Sequence, residues 1–483
     1  MQNDALNVAK SILLVAGAHQ PAAFVMATES RPIRSHLARQ ARHPMNSQEL
    51  LYERRSFQFF LLKTAPQLAG DFECAFWERL LLQTVHHEPA IRHATVALGS
   101  LHEEFQRNPG APLSSGPFSS RSTFALHQYL RAMRCLMPQH GNSQPIDVCL
   151  MSCILFACFE AMRGHYGSAI THITGGLKIL GELRNNKFRA STALNLGRNP
   201  YISVEVLCGL FTRLEAQSSV SSNRISTAGI DLWPELVIDL SRPVVFHSLA
   251  DAREMLEVYT YHHRQHLAEL RELSRQGKST AAPKFSALRD TSLSLVAYWA
   301  TGLDEFLDAH SASLTDRERR GAAVLQLRKI ECFIMLDTLR PEGELDPGEN
   351  IQWDRYYSAF EQMVILGESI VEFSSSLPSS SQKTFSLDLS IIAAMFNVAS
   401  RCRDPHIRRR AIRVLRTAAV QEGVWNSGFV ATIAEKWIEI EEEGLGVVNS
   451  HEDVPVSARL SHFLPVFDVD QPSALIQRLY EEK

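Results

Sequence analysis

Ile146–Leu180 reads IDVCLMSCILFACFEAMRGHYGSAITHITGGLKIL, and its reading decides the fold. The first half, Ile146–Met162, is apolar on nearly every side. A helix that is hydrophobic all round is a buried helix. With Asp147 and Glu160 at its ends, it falls short of the roughly 20 apolar residues expected of a membrane span. Arg163–Gly164 suits a helix C-terminus, because glycine takes the left-handed conformation without a Cβ clash and a cation complements the dipole. In the second half, Ala169, Ile173, Leu177 and Leu180 form one helical stripe. The pair predicts a helical hairpin, the first arm central and the second laid over it. Gly175–Gly176 would let another backbone approach closely.

The composition is that of an ordinary globular protein, 45% hydrophobic and 21% charged. At 483 residues and about 150 per domain, two to four units are expected. Lys+Arg 49 against Asp+Glu 53 gives −4, which excludes a general polyanion-binding surface. The eight cysteines are scattered through apolar helical context and read as reduced thiols of an intracellular protein. Ser11–Ala18 is too short for a signal-peptide core, and no transmembrane helix is visible.

Met1–Ser47 carries Arg31, Arg34, Arg39 and Arg42 with no acid after Glu29. It reads as a disordered, solvated basic arm; nuclear import, contact with a DNA backbone and organelle transit are the functional alternatives. Helical periodicity starts at Gln48, with Ser47 placed to cap it and Leu50, Leu51, Phe57, Phe60 and Leu61 as its apolar face. Pro66 and Gly70 are expected to break it. Pro89 suits the first position of the next helix, whose stripe is Ile91, Ala94, Leu98, Leu101 and Phe105.

Helical runs separated by breaker-rich loops continue through Phe124–Leu136, Tyr201–Leu214, Leu249–Leu273, Thr291–Ala309, Arg317–Leu339 and Tyr356–Phe373. Ser274–Lys284, Arg340–Asn350 and Ser374–Lys383 are the later separators. Phe385–Ala399 is strongly apolar, Pro405–Ala419 is a basic helix and Val430–Glu442 is the last clear one. No run alternates as strands do, and no fixed repeat is evident. The expected fold is all-α, an array of helical hairpins around the central one at 146–180.

Catalytic chemistry is hard to place. There is no glycine-rich phosphate loop and no G-x-S-x-G elbow. His87 and His93 lie six apart with Pro89 between, so they do not share the helix face of a zinc protease. His262 and His266 have the i, i+4 spacing, but no third ligand is evident. Cys149, Cys153 and Cys158 lie inside the buried helix and read as small core residues. Glu439, Glu441, Glu442 and Glu443 read as a solvated face. Arg401, Arg403, Arg408, Arg409, Arg410, Arg413 and Arg416 form a basic tract, read either as another solvated face or as a docking surface for an acidic partner or nucleic acid. No residue is assigned a catalytic, cofactor-binding or metal-ligating role, and no cofactor is expected.

Five segments in order carry a resemblance: Glu53–Phe105, the central hairpin, FTRLEAQS at Phe211–Ser218, FSLDLSIIAAMFNVASRCRDPHIRRRAIRVLR at Phe385–Arg416 and QEGVWNS at Gln421–Ser427. Together they resemble the C-terminal regulatory region of fungal zinc-cluster (Zn2Cys6-type) transcription factors, in the subgroup encoded near secondary-metabolite genes. The resemblance implies an all-helical regulatory domain at 48–445, between the arm at 1–47 and an extension at 446–483. It also implies a nuclear location, control of RNA polymerase II genes, no catalysis, and the transcription machinery or a DNA-binding protein as partner. Homodimers are common in that family, and no membrane partner is expected. The family's six-cysteine zinc cluster has no counterpart here, since Met1–Leu50 contains no cysteine. Either that module was lost or it lies outside this sequence; the residues present would reach DNA through a partner, or weakly through Arg401–Arg416 or the basic arm, and phosphate contacts carry no sequence preference. The alternative is a cytosolic helical scaffold derived from the same family.

Overall fold

The computed structural model describes residues 47–107, 120–137, 144–184, 200–221, 232–233, 238–275, 281–339, 352–375, 383–460, 465–467 and 474–476. The basic arm, except Ser47, lies outside the described residues, as do most residues of the expected 107–122, 340–350 and 374–383 loops. The chain is mainly α-helical and forms two units. Unit 1 takes 1–69, 74–215 and 230–232; unit 2 takes 70–73, 216–229 and 233–483.

In unit 1, α1 (Ser47–Phe59) runs through a π-helical turn (Phe60–Thr64) into α2 (Ala65–Ala69). A second π-turn (Phe76–Leu80) leads into α3 (Leu81–Thr84). Then come α4 (Pro89–Arg107), α5 (Ser120–Leu136), α6 (Ile146–Met162) and α7 (Tyr166–Arg184). The following α8 (Val204–Ser221) counts with unit 2 from Ala216 on. All of α6 is buried, as its apolar circumference requires. It packs against α4 and α7. Gly164, at φ 80°, ends it: its N–H bonds Ala161 O at 3.0 Å and the His165 N–H bonds Glu160 O at 2.9 Å, a Schellman closure. The α7 stripe Ala169, Ile173, Leu177 and Leu180 is buried.

Three local expectations fail in unit 1. Leu50 and Leu51 are 43% and 66% exposed, while Ser56 and Phe60 are buried. The seam is set by Gly99 of α4, where a Cβ would lie 2.2 Å from Ser56 O and 3.0 Å from Phe60 Cβ. Pro66 does not break the helix, because the π-turn ahead of it already bonds five residues back, Ala65 N–H to Phe60 O, and widens the turn. The close neighbour of Gly176 is the Phe211 ring rather than a backbone: a Cβ there would sit 2.1 Å from Phe211 Cε1.

Unit 2 contains α9 (Leu249–Arg275), α10 (Ala281–His310), α11 (Asp316–Asp337), α12 (Tyr357–Ser375), α13 (Ile392–Arg401), α14 (Pro405–Ala418) and α15 (Ser427–Glu441). Neighbouring pairs α9–α10, α11–α12 and α13–α14 pack as hairpins, and one large apolar cluster joins them. α10 starts ten residues before the periodicity suggests, because Pro283 sits in the first turn, where its missing N–H has no intrahelical bond to lose. Thr315 and Glu318 close a capping box ahead of α11.

The all-α expectation meets small exceptions. β1 (Thr384–Ser386) pairs parallel with β2 (Val420–Glu422), which pairs antiparallel with β3 (Trp425–Asn426). β4 (Pro465–Phe467) and β5 (Ala474–Ile476) form a separate two-stranded pair. Strands this short leave no alternating pattern, so Phe385 reads in sequence only as the start of an apolar run.

Candidate functional site

The basic tract is divided between interior and surface. Asp404 caps α14, accepting the His406 and Ile407 N–H groups at 2.9 Å, with Pro405 in the first turn. That start fixes the phase of the arginines. Arg408 is completely buried and Arg403 is 2% exposed. Arg408 donates to Ala399 O at the end of α13 and, at 2.7 Å, to Glu441 Oε2 of α15. Arg403 donates to Glu441 Oε1 at 2.9 Å and to Arg401 O. The Glu441 carboxylate also accepts the Trp437 indole N–H at 3.1 Å and the Leu460 backbone N–H at 2.8 Å. Burial presses the Arg403 guanidinium below its ordinary range, while Glu441 opposes that shift.

Farther along α14, Arg410 pairs with Glu368 of α12 at 2.7 Å, Arg409 with Glu442 and Arg416 with Glu435. Arg413 is exposed. Both solvated-face readings hold only in part: Arg409, Arg413 and Arg416 share an exposed face opposite buried Ile407, Ala411, Val414 and Leu415, whereas Arg403, Arg408 and Glu441 are buried. The glutamates at 439–443 are not uniformly solvated, since Glu441 has no exposure, and much of the arginine tract stitches helices to each other. A single sequence cannot show this, because the charges that pair lie 33 and 38 positions apart.

The second polar centre is the β1–β2–β3 sheet, which gathers three of the five resemblance segments. Glu422, fully buried, accepts the N–H groups of Ile391 at 2.9 Å and Ile392 at 3.3 Å, so it caps α13 from a different segment. Gln217 of α8 donates to Leu387 O, and its amide fills the space beside Gly423, whose φ is 56°. Asn426 caps α15 by accepting the Phe429 N–H at 3.0 Å. Burial raises the Glu422 carboxyl to about 7, against the pull of those backbone N–H groups and of Arg320. Nothing in the sequence marks Glu422 except its place in QEGVWNS.

In unit 1, Tyr129 of α5 stacks on Phe159 and hydrogen-bonds His172 of α7 at 3.1 Å. Burial lowers the imidazole of His172 to about 4 and that of His102 to about 3, which keeps both neutral at physiological pH. His102 meets Thr64 Oγ1 at 2.9 Å. These are satisfied core histidines.

The other sequence candidates are not brought together as ligands. His87 stacks on Tyr201, and His93 meets Gln128 at 2.7 Å. The rings of His262 and His266 stack 6.5 Å apart. Cys149, Cys153 and Cys158 are buried, and burial raises all three thiols, Cys153 to about 12. Among the described residues, no group of three or more His, Cys, Asp or Glu side chains is placed to hold a metal ion. No helix described is long and apolar enough to cross a membrane.

The geometry is that of a built interior whose polar groups fasten helix ends. It is similar in sequence to two fungal regulators. One is the aspercryptin biosynthesis cluster-specific transcription regulator atnN of Emericella nidulans, 23% identical across 85% of this chain and 77% of that protein. The other is the transcription regulator lscL of Purpureocillium lilacinum, 29% identical over 110 residues, which is 22% of this chain and 26% of that protein. No family model matches the chain, and no solved structure does.

Proposed function

We propose that this protein is a nuclear regulator of transcription by RNA polymerase II, serving a secondary-metabolite gene cluster. The observation that carries the reading is the similarity to a cluster-specific regulator across 85% of the chain. Residues 48–445 act as the fungal-specific regulatory domain, with 1–47 as a basic arm and 446–483 as an extension. The helices form a platform for a DNA-binding protein or the transcription machinery, and the chain catalyses nothing. Its polar centres support that role. Glu441 is held by arginines and Glu422 by backbone N–H groups, so both fasten helix ends.

The arginine tract is a poor phosphate track. Five of its seven arginines face Glu368, Glu435, Glu441 and Glu442, so much of its charge is offset locally. Sequence preference at a promoter would come from a partner that reads base edges. Chromatin immunoprecipitation of the C-terminally tagged chain, expressed from its own locus, tests the reading. Sharp peaks upstream of genes whose transcripts change on deletion are expected. Enrichment no higher than an untagged control, with an unchanged transcriptome, would favour the cytosolic scaffold instead.

A further inference from the structure

The packing of α1 and the π-turn that continues it inverts the usual sorting of side chains. The inner face buries the polar Ser56 and Thr64 beside Phe60, while Leu51 and Leu62 stand 66% and 65% exposed. The inner face is settled: it closes on Gly99, and Thr64 Oγ1 meets His102 at 2.9 Å. Leu51, Gln58 and Leu62 are all exposed, at spacings of seven and four, which put them on one side of a helix. The two leucines lie about 16 Å apart along the axis, at 1.5 Å per residue. Arg54, Arg55 and Lys63 are exposed around them.

The charges of this face are one-sided. No carboxylate is exposed along α1 or its π-turn: Glu49 pairs with Arg131 at 2.7 Å, and Glu53 is half-buried. Arg55 meets Glu103 of α4 at 2.6 Å, but that one carboxylate also serves Arg107 and Arg121. Arg54 and Lys63 have no ion pair among the described residues. Even with the half-buried Glu53 and Glu104 counted beside Glu103, the five cations of this surface outnumber the three carboxylates. Exposed leucines framed by unpaired cations call for an apolar, acidic occupant. The neighbouring segments of this chain do not supply one. Residues 1–46, which lead into α1, hold five basic residues against two acidic, and residues 108–119, which follow Arg107, hold no charge. The acidic run Glu342–Glu349 contains Pro347 and a single leucine, so it has no apolar helical stripe. Two copies meeting through this face would bring like charges together. Two leucines separated by Gln58 give a bilayer little apolar area to bury, whereas a protein helix can match each leucine and each cation in turn.

We propose that the outer face of α1 and its π-turn docks an acidic amphipathic helix of a partner protein, with Leu51 and Leu62 as anchors and Arg54, Arg55 and Lys63 around them. The partner's helix spans about three turns and flanks its apolar stripe with Asp or Glu. This holds whether or not the chain regulates transcription, so its failure leaves the promoter experiment undecided.

Fluorescence anisotropy on the full chain tests the proposal with two labelled helical peptides. Both carry leucine at positions i, i+4, i+7 and i+11; one has glutamate beside the leucines and the other lysine. The parent should bind the glutamate peptide at least about tenfold more tightly than the lysine peptide. Arg54→Glu/Lys63→Glu should reverse that preference, and Leu51→Ser/Leu62→Ser should weaken binding of the glutamate peptide by about tenfold. These side chains are exposed and hold no ion pair, so both variants should keep the parent's urea midpoint. No binding, equal binding of the two peptides, or binding of the glutamate peptide that either double variant leaves unchanged overturns the proposal. So does capture of the parent, but not of Leu51→Ser/Leu62→Ser, by vesicles of phosphatidylcholine and phosphatidylserine, since the face would then belong to a membrane. A parent that sediments as a dimer, with Leu51→Ser/Leu62→Ser as a monomer, overturns it too, since the occupant would be a second copy.

Discussion

Glu422 and Glu441 are both fully buried carboxylates, yet they differ in what offsets their burial. Glu441 has two guanidinium groups within 3 Å; Glu422 has backbone N–H groups. Glu422 therefore holds its proton up to about 7, well above the ordinary 4.5. A raised folded value means the folded protein binds the proton more tightly than the unfolded chain does. That contribution is fully present below pH 4.5 and is lost as pH rises through 7, about 3 kcal/mol in all. Urea midpoints of the parent should fall between pH 5 and pH 8, and those of Glu422→Gln should fall less. Parallel curves for the two proteins would show that Glu422 titrates as it does in water. The Glu441 cluster predicts a different outcome. Arg408→Ala leaves the Glu441 charge short of a partner and should lower stability by about 3–5 kcal/mol at neutral pH. Arg413→Ala, on the exposed side of the same helix, should leave the urea midpoint where it is. Equal effects of the two substitutions would contradict the inward orientation of Arg408.

At the scale of elements, α6 is the one whose fate is written in its own residues. An uninterrupted apolar circumference can be satisfied only by neighbours on all sides, and α4 and α7 supply them. Phe156 meets the ring of Tyr129 at 5.0 Å and that of His172 at 5.4 Å. Phe156→Asp places an unpaired carboxylate there, at a cost of several kcal/mol, and should abolish soluble expression. A soluble Phe156→Asp protein melting with the parent would contradict the central position of α6. Other elements were legible only in part. The sequence locates α1, yet the face it buries is chosen by Gly99 of α4. Pro66 breaks a helix only where the turn before it has ordinary width, and here that turn is a π-turn. β1 and β2 hold three residues each, too few for a period of two to show.

For the molecule as a whole, a net charge of −4 excludes a general polyanion surface, and local pairing offsets four of the five arginines of its most basic helix, α14. Arg413→Ala/Arg416→Ala should thus leave promoter occupancy unchanged in chromatin immunoprecipitation. A loss of every peak together would mean that this helix grips phosphates after all. The sequence by itself determined the helical class, the buried central hairpin and the starts of α4, α11 and α14, because periodicity, proline position and capping residues act within a few positions along the chain. Only the tertiary structure decided which charges are buried and which face α1 presents. Those outcomes depend on partners tens of residues away. A charged side chain carries the same letter whether water or an opposite charge completes it.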